Sequence, residues 1–176
     1  MIKIHWLGAG LSSIPGIKRL ASNNEYLTVW NRTLPKAQKC IDQYKSDNIT
    51  AKKFDVRKKL PFSDSAFEGC FSHMLYCMAF STEELEFLSN ELLRILKPGG
   101  INIYTVRHTQ DGDYKNGVHI GEDLYENDGF IVHFFSKEKI KDLSKGFNII
   151  EIEKFEEGSF PRKLFKVILK KKSLAR

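Results

Sequence analysis

The sequence predicts an α/β chain built on a mostly parallel sheet, and three consecutive segments carry that prediction. Residues 67–74 form a short, mostly apolar run entered from the polar turn Ser63-Asp64-Ser65, the pattern of a strand buried on both faces. Residues 82–96 place Leu85, Leu88, Leu92, Ile95 and Leu96 on one helical face. Residues 101–106 are strand-like again, with Ile101, Ile103, Tyr104, Thr105 and Val106. Strand, helix, turn and strand in succession make a βαβ unit, whose crossover is almost always right-handed.

The punctuation of the unit supports the assignment. Ser81 followed by Glu84 has the form of a capping box at the helix start. Lys97-Pro98-Gly99-Gly100 reads as its end: a cation near the C-terminal dipole, a proline that cannot continue the helix, then glycines free to turn.

The rest of the chain extends the same alternation. Residues 2–7 read as a first strand, followed at once by Gly8-Ala9-Gly10 and by a helix beginning at 14–20. A strand, a glycine turn and a helix N-terminus are the usual cradle for a nucleotide, because backbone and unpaired N–H groups come close to the ligand. The alternative is a tight turn with no ligand. Residues 27–30 are the second strand, ending in Asn31-Arg32-Thr33. An acidic residue at this position would bond ribose hydroxyls, whereas an Arg suits a 2′-phosphate and so NADP. Residues 35–44 are a helix candidate, and residues 49–54 are a third strand whose lysines suit a sheet edge.

After residues 101–106 comes a long, poorly periodic segment, 108–135, rich in aromatics and histidines. Such a stretch is functional or disordered, and its aromatic content argues against disorder. We read it as a substrate lid or wall; the alternative is a plain surface loop. Ser136 caps a short helix ended by Gly146, residues 147–152 alternate as a strand, Glu156-Glu157-Gly158 makes a turn, and residues 164–169 are the last strand. A connection this short between closing strands predicts an antiparallel hairpin.

Composition narrows the function classes. At 176 residues the expectation is one domain over residues 1–176 with a real core. No apolar run approaches a membrane span, no metal-ligand spacing occurs, and the three cysteines have no CxxC pattern. Reduced thiols, no bound metal, no membrane partner and a cytoplasmic location are the expectations. The net charge of +6 comes largely from Lys52-Lys53, Arg57-Lys58-Lys59 and Lys170-Lys171-Lys172, read as solvated strand ends because no nucleic-acid motif accompanies them.

The stretch LPFSDSAFEGCFSHMLY, then the acidic-apolar helix, LLRILKPGG and a strand, resembles class I S-adenosylmethionine-dependent methyltransferases, over about residues 55–172. The resemblance implies a Rossmann-like three-layer sandwich with sheet order 3-2-1-4-5-7-6 and a C-terminal antiparallel hairpin. It implies S-adenosyl-L-methionine as cofactor, with Gly8, Ala9, Gly10, Asn31, Asp55, Val56 and Ser72 as cofactor-binding candidates. Asp55 would meet the adenine amino group and Val56 would pack on the ring; otherwise Asp55 is a solvated turn residue. Tyr76, His108, His119 and Tyr125 are the acceptor candidates, and His73 is either a general base or a structural histidine. The Asn/Asp-Pro-Pro-aromatic motif of nucleic-acid amino-methylases and the Pro-Cys nucleophile of cytosine methylases are both missing, which favours a small-molecule acceptor.

Two positions depart from the family pattern: Trp6, two before Gly8, and Asn31 both stand where acidic residues are usual. The opening KIHWLGAGLSSIPGIKRL with LTVWNRTLPKA resembles instead a saccharopine dehydrogenase-type reductase over about residues 1–50. That resemblance implies NADP as the alternative cofactor and a candidate fusion junction near 51–59. Three expectations follow: methyl transfer to a small molecule, an NADP-binding oxidoreductase module, or a catalytically silent Rossmann-like fusion.

Overall fold

The computed structural model of the chain describes residues 3–7, 26–31, 49–158 and 162–173, with side chains described at 49–50, 54–158 and 162–173. The expected helices at 14–20 and 35–44 and the Gly8-Ala9-Gly10 turn lie outside the described residues. Strands β1 (Lys3–Leu7), β2 (Tyr26–Asn31) and β3 (Ile49–Lys53) run parallel, with Lys3 opposite Tyr26 and Leu27 opposite Ile49. Strand β4 (Phe67–His73) joins β1 in parallel. Helix α1 (Thr82–Ile95) leads to β5 (Leu96–Arg107), parallel to β4.

The segment after β5 folds into β6 (Val118–Gly121), β7 (Leu124–Asn127) and β8 (Phe130–His133), a separate three-stranded antiparallel sheet. Helix α2 (Lys137–Leu143) follows, then β9 (Phe147–Glu157) and β10 (Arg162–Lys171). The main sheet has the order β3-β2-β1-β4-β5-β10-β9, with β10 antiparallel to both neighbours. Lysine-rich β3 is at one edge.

The expectation of a mostly parallel sheet needs correction for the molecule as a whole. Among the described residues four of the eight ladders are antiparallel, and they include the two longest. The C-terminal hairpin is longer than its alternation suggested, because cross-strand pairs continue past the apolar core. Glu156 and Glu157 are therefore strand residues, paired with Lys163 and Arg162, rather than a turn.

Lys97-Pro98-Gly99-Gly100 keeps its expected turn inside the start of β5, with Gly99 in the left-handed region at φ 76° and the pairing with β4 passing from Leu96 to Ile101. Leu96 already has extended backbone and closes α1 through its N–H to the Leu92 carbonyl. The register then slips between Phe67 and Gly69 of β4, which absorbs the extra residues. Gly100 is required there: a Cβ would lie 2.8 Å from the Lys97 carbonyl oxygen and 3.0 Å from that of Glu68.

The core packs α1 on the sheet. Leu85, Leu88, Leu92 and Ile95, the predicted stripe, are all buried together with Tyr104, Val106 and Val167. Full burial of one such aliphatic side chain is worth about 1.5–3 kcal/mol. One polar group inside this face has a defined task. The buried Glu91 carboxylate accepts from the Leu60 N–H at 2.6 Å and from Arg94 Nε at 2.8 Å. Arg94 in turn donates to the Phe62 and Leu60 carbonyls at 2.7 and 3.0 Å. The 60–64 turn is thus pinned to the helix, and the hydrogen bond from Arg94 holds the Glu91 carboxyl below its ordinary pKa. The capping box is present, Ser81 and Glu84 bonding each other's backbone N–H.

Candidate functional site

In a sheet of this kind ligands collect at the carboxyl ends of the parallel strands, near the point where strand order reverses. The register brings the predicted cofactor residues to that edge. Leu7, the residue before Gly8, is paired with Ser72. Asn31 ends β2 opposite Lys53, two residues before Asp55. The Ser72 side chain is 1% exposed, and its Oγ has no hydrogen-bond partner among the described residues. The Asp55 carboxylate accepts from Arg57 N–H and Nε at 3.0 Å each and from Nη2 at 2.7 Å. That pairing lowers its pKa to about 2, so it is ionised at any working pH. Val56 belongs to the hydrophobic core. Its side chain is packed inside and does not offer the open face expected for a ring.

The same sheet end opens into a cleft of about 1150 Å³. Its floor includes Met74, just past β4, and Arg107, the last residue of β5; Arg162 of β10 is at its rim. Its far wall is the small sheet, through the cross-strand row Val118, Glu126 and Ile131. Two features shape that wall. Asp128 and Gly129 both have positive φ, 50° and 80°, the left-handed pair that turns a two-residue hairpin. Gly117 sits so close to β7 that a Cβ would lie 2.1 Å from the Glu126 carbonyl oxygen.

Polar contacts hold this sheet against the body. His133 is fully buried; its Nδ1 donates to the Phe80 carbonyl at 2.7 Å and its Nε2 accepts from Lys139. Lys139 also donates to Asp123 Oδ2 at 3.1 Å, and Thr82 N–H donates to Glu122 Oε2 at 2.9 Å. Burial, then the Lys139 ammonium, push the His133 pKa down, so the ring is neutral.

The comparisons with known proteins agree with this geometry. A family model described as "Methyltransferase domain" matches residues 9–104, more than half of the 176-residue chain. The chain belongs to the methyltransferase domain family. Solved structures share its fold. A SAM-dependent methyltransferase from Methanosarcina mazei aligns with TM-score 0.80 at 19% identity, over 97% of this chain and 92% of its own. An S-adenosylmethionine-dependent methyltransferase from Mesorhizobium loti aligns with TM-score 0.74 at 16% identity, over 97% and 91%. The N-methyltransferase NodS from Bradyrhizobium japonicum, solved with S-adenosyl-L-homocysteine, aligns with TM-score 0.72 at 10% identity, over 97% and 78%. No curated protein matches the chain. The family match spans residues 51–59. The saccharopine dehydrogenase-type resemblance of the first 50 residues gains no support from it.

The cofactor of the family is S-adenosyl-L-methionine. The described residues fit a nucleoside ligand: a buried serine hydroxyl without a partner among them lies beside the strand that ends just before Gly8, and an ionised Asp55 lies beyond the edge strand. Gly8, Ala9, Gly10 and the Asn31 side chain lie outside the described residues.

This methyltransferase places the acceptor candidates less simply. Tyr76 is in the core, stacked on Tyr104 with ring centroids 4.6 Å apart, and burial pushes its pKa up to about 12. His108 is buried against Phe165, and its Nδ1 accepts from the Gln110 N–H. His119 and Tyr125 stack on each other in the row next to Val118 and Glu126. None of these four lines the cleft. Successive strand residues face opposite sides, so a one-residue difference in parity decides which of them meets a ligand.

His73 stands at the end of β4. The Met74 N–H donates to Thr105 Oγ1 at 3.1 Å, and Oγ1 is 2.8 Å from His73 Nδ1. Nε2 lies 3.4 Å from the Glu157 carboxylate. His73 thus has neighbours from β5 and β9 at its two ring nitrogens. The cleft residues Arg107, Asp113 and Glu126 were not among the sequence candidates. Asp128-Gly129 is a strong hairpin signal in the sequence and could have revealed the wall.

Proposed function

We propose that this chain transfers a methyl group from S-adenosyl-L-methionine to a small-molecule acceptor bound in the cleft between β5, β10 and the small sheet. One observation carries the reading: the cleft and the Ser72 hydroxyl, unpartnered among the described residues, share the carboxyl end of the same parallel strands. Ser72, Asp55, Asn31 and the Gly8-Ala9-Gly10 backbone hold the cofactor, which supplies a methyl on a sulfonium. Alignment of acceptor and donor supplies much of the rate in such a displacement. The protein's task is to hold and to exclude water, and no residue of the cleft has to act as a strong acid or base. The Thr105–His73–Glu157 chain keeps the strand ends that form the floor in register. The acceptor's small size follows from a cleft of about 1150 Å³ and from the missing motifs of nucleic-acid methylases.

The test is calorimetric titration with S-adenosylhomocysteine and, separately, with NADPH. Micromolar binding of S-adenosylhomocysteine is expected, weakened roughly threefold to tenfold by Ser72→Ala, the loss of one net hydrogen bond. Binding of NADPH alone, or of neither ligand, would sink the reading.

A further inference from the structure

One cleft residue has a donor that its structural contacts leave over. Arg107 is 9% exposed. Its Nε donates to Asp111 Oδ2 at 3.2 Å, and its Nη2 donates to Asp111 Oδ1 and to Asp113 Oδ2, the latter at 2.6 Å. Asp111 is itself buried and fixed, accepting from the Lys163 N–H at 2.7 Å and the Asp113 N–H at 2.9 Å. The guanidinium lies 5.2 Å over the Phe134 ring. Its Nη1 has no hydrogen-bond partner among the described residues, and Arg107 lines the cleft.

A guanidinium stays protonated and cannot hide a donor by losing a proton. An Nη1 group at a sheltered wall therefore favours a ligand with a lone pair to offer. The charges around it select which kind. Two carboxylates face the one guanidinium, Glu126 and Asp128 line the same cleft, and Arg162 is the one further cation among the described lining residues. The sum is negative in a chain whose total is +6. A carboxylate or phosphate on the ligand meets net repulsion there. An ammonium is attracted but offers Nη1 no lone pair. An uncharged acceptor atom satisfies both conditions. Beside it Met78, Val118, Phe130 and Ile131 leave large apolar side chains open to solvent, with Phe130 75% exposed. Apolar groups gathered at a cleft mark the place for an apolar body.

We propose that Arg107 is an acceptor-specificity residue, and that the acceptor is an uncharged, apolar-bodied molecule presenting a carbonyl or similar lone-pair group to Arg107 Nη1. Its body lies against Val118, Phe130 and Ile131. The proposal rests on the methyltransferase reading for the word acceptor, but its binding chemistry can be measured without turnover.

The experiment uses three probes of similar bicyclic body: quinolin-2-one, naphthalene-2-carboxylate and 2-(aminomethyl)naphthalene. Each is titrated into the full chain by NMR, in the presence and absence of S-adenosylhomocysteine. The expected result is binding of the lactam at least about tenfold tighter than the carboxylate, the order of one hydrogen bond to a charged group, with shifts at Val118 and Ile131. Arg107→Lys keeps the charge but loses the fork, and should weaken the lactam about tenfold. Phe130→Ser should weaken it as well, and at so exposed a position it tests the site even where Arg107→Lys fails to fold. Equal or tighter binding of either charged probe, no lactam binding, or lactam binding that both variants leave unchanged would overturn the proposal. Lactam binding without S-adenosylhomocysteine binding would instead sink the methyl-transfer reading and leave the cleft chemistry standing.

Discussion

In the unit of β4, α1 and β5 the predicted apolar stripe is inside, beside the buried Glu91 carboxylate; in the sheet of β6, β7 and β8 four large apolar side chains stand open to solvent. Leu85, Leu88, Leu92 and Ile95 are buried in the first. Val118, Ile120, Phe130 and Ile131 are exposed in the second, and buried His133, with Lys139, Asp123, Glu122 and Thr82, anchors it. The first region derives its stability from area removed from water, which has little pH dependence. The second is fastened by titratable groups and hydrogen bonds of modest net worth. Low-stability elements of that kind are the ones that open for ligands. The small sheet is therefore the wall of the cleft that conditions can tune, and the βαβ unit is the frame that they cannot.

The largest expected effect attacks the frame. Leu92→Ala should cost about 2–5 kcal/mol through lost transfer energy and a cavity, and thermal unfolding should drop as one transition with both regions lost together. A drop confined to the small sheet would break the comparison. Next, Gly117→Ala should cost about 1–3 kcal/mol, because its φ of 79° and the nearby Glu126 carbonyl leave no room for a side chain. Amide hydrogen exchange should show protection lost in β6–β8 and kept in α1 and β5.

Acidification should separate the regions without mutation. The folded-state pKa of His133 is lowered, first by burial and then by Lys139, below its ordinary 6.5. The folded state thus binds fewer protons than the unfolded one, so this contribution is complete above about 6.5 and is lost as pH falls below it. Buried His108 is lowered as well and has the same sign. Glu91 in the frame is a carboxylate with a lowered pKa, so its contribution is complete above the ordinary value of 4.5 and is lost only below that. Between about pH 5 and 6.5, exchange in β6–β8 should speed up while α1 stays protected, and His133→Gln should abolish the difference. Equal loosening of both regions would count against the anchoring role. The smallest stability effect is expected from Phe130→Ser, within about 0.5 kcal/mol as for most surface changes, although acceptor KM should rise severalfold.

Much of the frame was legible because its signals are local. The period of residues 82–96, the Ser81–Glu84 capping box and the apolar run at 67–74 each reappear in the structure within a residue or two. The error at Glu156-Glu157 has a physical cause: a charge cluster before a glycine read as a turn, yet cross-strand pairing extended the strand through it. At the site, Ser72 and Asp55 were named from the sequence and come to the expected sheet end. Tyr76, His108, His119 and Tyr125 were chosen by residue type in the segments after the fourth and fifth strands that the resemblance marks for the acceptor, and none lines the cleft.

By itself the sequence determined the alternation of elements, the amphipathic face of α1, the closing hairpin and the family to which the chain belongs, since each follows from period, capping or motif within a short window. Only the tertiary structure decided which residues face the cleft. Strand parity in β6–β8 depends on where the hairpins turn, and the surroundings of both His73 nitrogens depend on Thr105 and Glu157, 32 and 84 residues away along the chain. The same holds for Arg107, whose fork is closed by two aspartates and which lines a cleft that does not exist until the small sheet has folded.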